Sequence, residues 1–100
     1  MITRIVKITL APGKRNDFIT LFNTVSPSIH AFTGCLEVEI MKDIQNENIA
    51  FTYSRWQSEN DLENYRKSNL FEGTWSKAKL MFAQKAEAWS LENIKFAPNE

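Results

Sequence analysis

Residues 2–10, ITRIVKITL, place Ile2, Val6, Ile8 and Leu10 on one face of an extended chain and Ile5 on the other. This two-residue period and the β-branched content predict a strand, closed by the turn signal Ala11-Pro12-Gly13. From 14 to 31 the period lengthens. Phe18, Leu21, Phe22, Val25 and Ile29 recur at i, i+3, i+4, i+7 and i+11, one face of a helix. Pro27 removes a backbone donor late in that run, which predicts a kink or a broken last turn, and Thr33-Gly34 ends it. Residues 35–42 alternate again, with Leu36, Val38 and Ile40 against Glu37 and Glu39. A polar stretch over 43–48 suits a hairpin loop, and 49–56, IAFTYSRW, is expected as a third strand antiparallel to the second.

Ser58 then stands where a helix N-cap is wanted, followed by the acidic Glu59 and Asp61. The second helical region runs from 59 to about 82, with one apolar stripe starting at Leu62 and Tyr65 and another at Phe71, Trp75, Ala78 and Phe82. Ser68-Asn69 and Gly73 interrupt it, predicting two helices or one bent helix. Residues 85–94 are expected as a fourth strand, and the tail 95–100 as loose. The order β-α-β-β-α-β predicts an α+β, ferredoxin-like domain: a four-stranded antiparallel sheet with helices on one face. The third strand carries Phe51, Tyr53 and Arg55 on one side and Thr52, Ser54 and Trp56 on the other. Bulky groups on the uncovered face call for a second cover, and a second copy packed sheet to sheet is the simplest one. A homodimer is therefore expected.

Composition narrows the function classes. One hundred residues at 43% hydrophobic and 24% charged predict one globular domain, 1–100, with its core over about 2–94. Twelve basic residues balance 12 acidic ones without a basic stripe, so nucleic acid is not an expected partner. No apolar run approaches the roughly 20 residues of a membrane span, and the opening MITRIVKITL has no leader pattern. The expected location is cytoplasmic. A single cysteine and a single histidine leave no multi-Cys or multi-His metal site. The densest chemistry lies in 51–75, which holds two of the three Trp, both Tyr and two of the seven Phe. Such a cluster either lines a pocket for a flat apolar molecule or packs as core.

The Pro-Gly after strand one, the Phe-x-Gly-Cys at 32–35, the Tyr-Ser-x-Trp-x-Ser-Glu at 53–59 and the Ala-Trp-Ser at 88–90, in this order, resemble the antibiotic biosynthesis monooxygenase domain family over about residues 2–92. The resemblance implies a dimeric α/β barrel with a pocket between sheet and helices in each subunit. It implies oxidation of a quinol or polycyclic phenol by molecular oxygen, with no metal, flavin or haem. The substrate is then the reductant, and the protein binds it, shifts its pKa and excludes water. Trp56 stands where polyketide-oxidising members keep a pocket Trp, Thr52 where they have Asn, and Leu62 where they have Tyr. In a haem-degrading branch the matching positions are Val6, Tyr65 and Trp75, with no His on the second helical region, so haem degradation is not expected.

The expected substrate-binding residues are Trp56, Phe71, Trp75, Thr52 and Leu62, and the candidate catalytic residues are His30 and Tyr65. His30 is either a general base near neutral pH or a cation at a helix C-terminus. Tyr65 donates either to a substrate oxygen or to a backbone carbonyl. Arg55 and Arg66 can each hold a phenolate or carboxylate, or lie solvated. Cys35 reads as a small hydrophobe and Glu37 and Glu39 as a solvated strand face. Two other classes fit the same fold: a non-catalytic dimer binding a small hydrophobe, and an isomerase or lyase.

Overall fold

The alternating segments become strands and the longer-period segments helices in the computed structural model, which describes residues 1–94. The tail expected over 95–100 lies outside the described residues. In chain order the elements are β1 (Ile2–Thr9), α1 (Arg15–His30), β2 (Cys35–Lys42), β3 (Ile49–Trp56), α2 (Glu59–Arg66), α3 (Asn69–Lys79) and β4 (Glu87–Leu91). The sheet order is β2-β3-β1-β4, and every neighbouring pair is antiparallel. This is the ferredoxin-like arrangement, with β1 and β3 central. No described helix is long and apolar enough to cross a membrane.

Register decides what faces the helices. Pairing Ile2 with Trp56, Arg4 with Ser54, Val6 with Thr52 and Ile8 with Ala50 puts all eight residues on one face. There Ile8, Ala50 and Trp56 pack with Phe18, Phe22 and Ile29 of α1, Leu62 of α2 and Ala78 of α3 as the buried core. Burying a side chain the size of Phe18 contributes roughly 1.5–3 kcal/mol. Among the described residues no element lies over the opposite face. One row across it reads Glu39, Tyr53, Ile5, Trp89.

Four sequence expectations are corrected. Helix α1 runs unbroken through Pro27 to His30. Proline cannot bond the Asn23 carbonyl, but the Ser26 hydroxyl donates to it at 3.3 Å, so that carbonyl keeps a partner. The second helical region breaks at Ser68, whose Oγ accepts the Phe71 N–H at 3.1 Å; Gly73 lies inside α3 without interrupting it, and α3 ends at Lys79, short of 82. Leu36 does not share a face with Val38 and Ile40. A bulge between Cys35 and Glu37 leaves it out of register and 40% exposed, while Cys35 pairs with Trp56 on the covered side. Strand β4 is shorter than 85–94. Beyond its start the Thr9 carbonyl already accepts from the Ala83 N–H at 2.9 Å, and Leu10 bridges to Phe82.

Candidate functional site

Between the covered sheet face and the helices lies a cavity of about 530 Å³. Its floor is built from alternate strand residues, Val38, Thr52, Ser54, Arg4, Val6 and Ala88. Phe18 and Phe22 of α1 line one side; Leu62 and Tyr65 of α2 and Phe71 and Trp75 of α3 line the other. The loop from Phe82 to Ala86 completes the wall.

The aromatic side is one continuous chain of rings. Trp56 stacks on Tyr65 at 4.9 Å between centroids, Tyr65 meets Phe71 edge-on at 5.3 Å, Phe71 stacks on Trp75 at 5.6 Å, and Trp75 meets Phe82 edge-on at 5.5 Å. Spacings of this size and these offset and T-shaped geometries are the favoured ones for aromatic pairs. Two serines fix the helices that carry the rings. Ser68 Oγ donates to the Tyr65 carbonyl at 2.6 Å while capping α3, so Tyr65 and Phe71 are set by one side chain. Ser58 Oγ accepts the Asp61 N–H at 3.1 Å and donates to Asp61 Oδ2 at 3.0 Å, capping α2. The loop before β2 must let that cap approach. Gly34 has φ +85°, and a Cβ there would run into the Asp61 carboxylate.

Five of the expected site residues line the cavity together: Tyr65, Phe71, Trp75, Thr52 and Leu62. Trp56 does not. It is fully buried behind Tyr65, and its Nε1–H donates to Ser54 Oγ at 2.9 Å. Its place is therefore to hold a wall ring and a floor hydroxyl, not to stack on a ligand. His30 is exposed at the end of α1 and is not among the lining residues, because the covered stripe of α1 ends one residue earlier, at Ile29. Burial of Tyr65 pushes its pKa up to about 12, with Cys35 adding to the rise; the phenol keeps its proton at neutral pH. Burial likewise raises the Cys35 thiol, which suits the small-hydrophobe reading.

Arg4 was not among the expected residues. The signal lay in the first strand, where a charged residue occupies an inward position between Ile2 and Val6. Its Nη1 donates to Ser90 Oγ at 2.8 Å, across the β1–β4 pairing. Burial first, and the nearby Arg66 second, lower its pKa from the ordinary value, although a guanidinium remains charged. Arg66 also lines the cavity, whereas Arg55 lies on the other face of the sheet beside Glu37, at 3.6 Å. Lys79 and Lys85 sit at the rim. Among the described residues no Asp, Glu or His lines this cavity, and no cluster of three or more His, Cys, Asp or Glu side chains is poised for a metal ion.

The ferredoxin-like fold of this chain is shared by many solved structures. A conserved protein from Methanosarcina mazei superimposes with a TM-score of 0.86 at 18% identity, over 94% of each chain. A structure described as an antibiotic biosynthesis monooxygenase gives 0.87 at 12% identity, over 95% of this chain and all (100%) of the other. A Pseudomonas aeruginosa protein gives 0.82 at 19% identity, over 94% of each. At such identities these likenesses establish the fold. Residues 1–74 match the antibiotic biosynthesis monooxygenase family, and the chain belongs to that family. No curated protein matches the sequence.

Proposed function

We propose that this protein is a cofactor-independent monooxygenase that oxidises a quinol or polycyclic phenol with molecular oxygen in the aromatic cavity. The observation that carries the reading is the wall Tyr65, Phe71, Trp75 and Phe82, a run of touching rings around a space of about 530 Å³. Flat faces of this kind hold a planar ring by stacking, and the volume suits a small polycyclic ligand. The substrate supplies the electrons. The CH2 of an anthrone reacts with O2 to give C=O and water, and a quinol with a free ring C–H reacts with O2 to give a hydroxyquinone and water; each is a four-electron balance that needs no other reductant. The first event is loss of the phenolic proton to solvent, which leaves an electron-rich anion able to pass an electron to oxygen. Without a lining carboxylate or imidazole, ionisation rests on the positive field of Arg4, Arg66, Lys79 and Lys85, which favours the anion. Tyr65, protonated at neutral pH, donates to the oxygen that carries the charge.

The working unit of this proposal is a homodimer in which the uncovered sheet faces meet, and its location is cytoplasmic. Ile5 and Tyr53, with Met41, Trp89 and Leu91 each more than 40% exposed, support that packing, because an apolar face of this kind is unfavourable in water. The missing acid–base residue favours one second reading, a binding module for a small hydrophobe without turnover. Oxygen uptake by the metal-free protein over a panel of hydroquinones and anthrones separates the two. The oxygenase shows saturable uptake, one O2 per ketone formed from an anthrone or per hydroxyquinone formed from a hydroquinone. The binding module gives tight binding with uptake no faster than autoxidation.

A further inference from the structure

The charges around the cavity carry more than the aromatic wall does. Arg4, Arg66, Lys79 and Lys85 line it, and no acidic residue among those described does. Arg66 is already compensated by Glu63, at 3.4 Å, and Glu63 lies outside the cavity lining. Arg4 has no carboxylate within ion-pair distance among the described residues. It is half-buried, faces a second guanidinium, and has the neutral Ser90 hydroxyl as its hydrogen-bond partner. A partly buried cation without an anion is costly, and proteins seldom keep one on an inward strand position unless something pairs with it. In the same row of the sheet Ser54 on one side and Ser90 on the other offer hydroxyls, and Glu63, the one carboxylate whose field reaches Arg4 from the helices, pairs with Arg66 instead.

We infer that the Arg4 end of the cavity is a carboxylate subsite, so that the ligand is a hydrophobic aromatic acid whose ring lies along Tyr65, Phe71 and Trp75 and whose carboxylate pairs with Arg4, with Arg66 beside it. The inference rests on the cavity being the ligand site, as in the functional reading above, and it names the class of molecule that enters. A guanidinium presents parallel N–H groups that match a carboxylate. The neutral ring wall supplies apolar contact, and the charged end fixes which way round the molecule sits.

The test is calorimetric titration of the full chain with 2-naphthoate and with 2-naphthamide, its neutral isostere, at about pH 7. A charge-assisted hydrogen bond makes the acid bind about tenfold or more tightly than the amide. Arg4→Gln is expected to bring the two within about twofold by weakening the acid alone; an unchanged affinity for the amide shows that the variant is folded and its cavity intact. Lys67→Gln, outside the cavity lining, retains the preference. Equal binding by the wild type, a preference that survives Arg4→Gln, or binding of neither compound overturns the inference. The oxygenase reading fails separately. Acid-selective binding with no oxygen uptake by hydroxylated naphthoates leaves the subsite standing and removes the oxygenase. Uptake indifferent to the carboxylate and to Arg4 does the reverse.

Discussion

Trp56 and Trp89 sit on opposite faces of one sheet and have opposite fates. Trp56 is 0% exposed, stacked on Tyr65 and bonded to Ser54, whereas Trp89 is 43% exposed with no helix above it. Both faces show apolar residues at alternate positions, so the contrast does not come from the strands. It comes from where the helices go. Helices α1, α2 and α3 all pack on the side of Val6, Ile8 and Ala50, and among the described residues no further helix covers Ile5, Tyr53 and Trp89. The covered face therefore holds the core and the cavity, and the open face keeps its apolar residues exposed.

The sharpest way to break this contrast is to truncate both tryptophans. Trp56→Ala is expected to cost about 3–5 kcal/mol in urea unfolding, since a fully buried ring leaves a cavity behind. Trp89→Ala is expected to change unfolding at low protein concentration by under about 1 kcal/mol, yet to shift the species seen by light scattering from dimer to monomer. Similar unfolding losses in the two variants would mean that the faces are not different in kind.

Gly34 tests how tightly α2 is held on the covered side. Gly34→Ala is expected to cost on the order of 2–3 kcal/mol, from the positive φ together with the encounter with Asp61. If the loss is only a few tenths, that approach does not set the position of α2.

Tyr65 offers a pH signature of the covered face. Its pKa is raised from 10.0 to about 12. The native state therefore holds the phenolic proton where the unfolded state has released it. The associated stability is complete below about pH 10 and is lost as pH rises toward 12, on the order of 2 kcal/mol. Absorbance titration of the phenolates is expected to show a component near 12 that disappears in Tyr65→Phe. Its persistence in that variant would place the buried phenol elsewhere.

Much of this was legible in the sequence. The change from two-residue to helical spacing at Phe18 placed α1, and the alternation in β1 and β3 set both faces of the central strands. The aromatic run from Tyr65 through Phe71 and Trp75 pointed to the cavity wall. What stayed hidden depended on partners distant in the chain. Trp56 looked like a ligand contact because it stands where polyketide-oxidising relatives keep a pocket Trp, but Tyr65 lies between it and the space. The bulge at Leu36 needed the register with Trp56 to be known. His30 suggested chemistry by residue type, whereas its exposure follows from the helix turning one residue past Ile29. Arg4 was visible as a charge among inward apolar positions, but its significance required Arg66 and Ser90, brought close only by the fold.

The two tyrosines allow the central claim to be tested by removing the same hydroxyl on either side of the sheet. Oxygen uptake by the metal-free protein on an anthrone or hydroquinone should exceed autoxidation and saturate. It should fall about tenfold or more in Tyr65→Phe, as befits the loss of a hydrogen bond to a charged oxygen, and stay unchanged in Tyr53→Phe. Uptake at the autoxidation rate, or an equal response to both substitutions, would contradict an oxygenase site in the covered cavity.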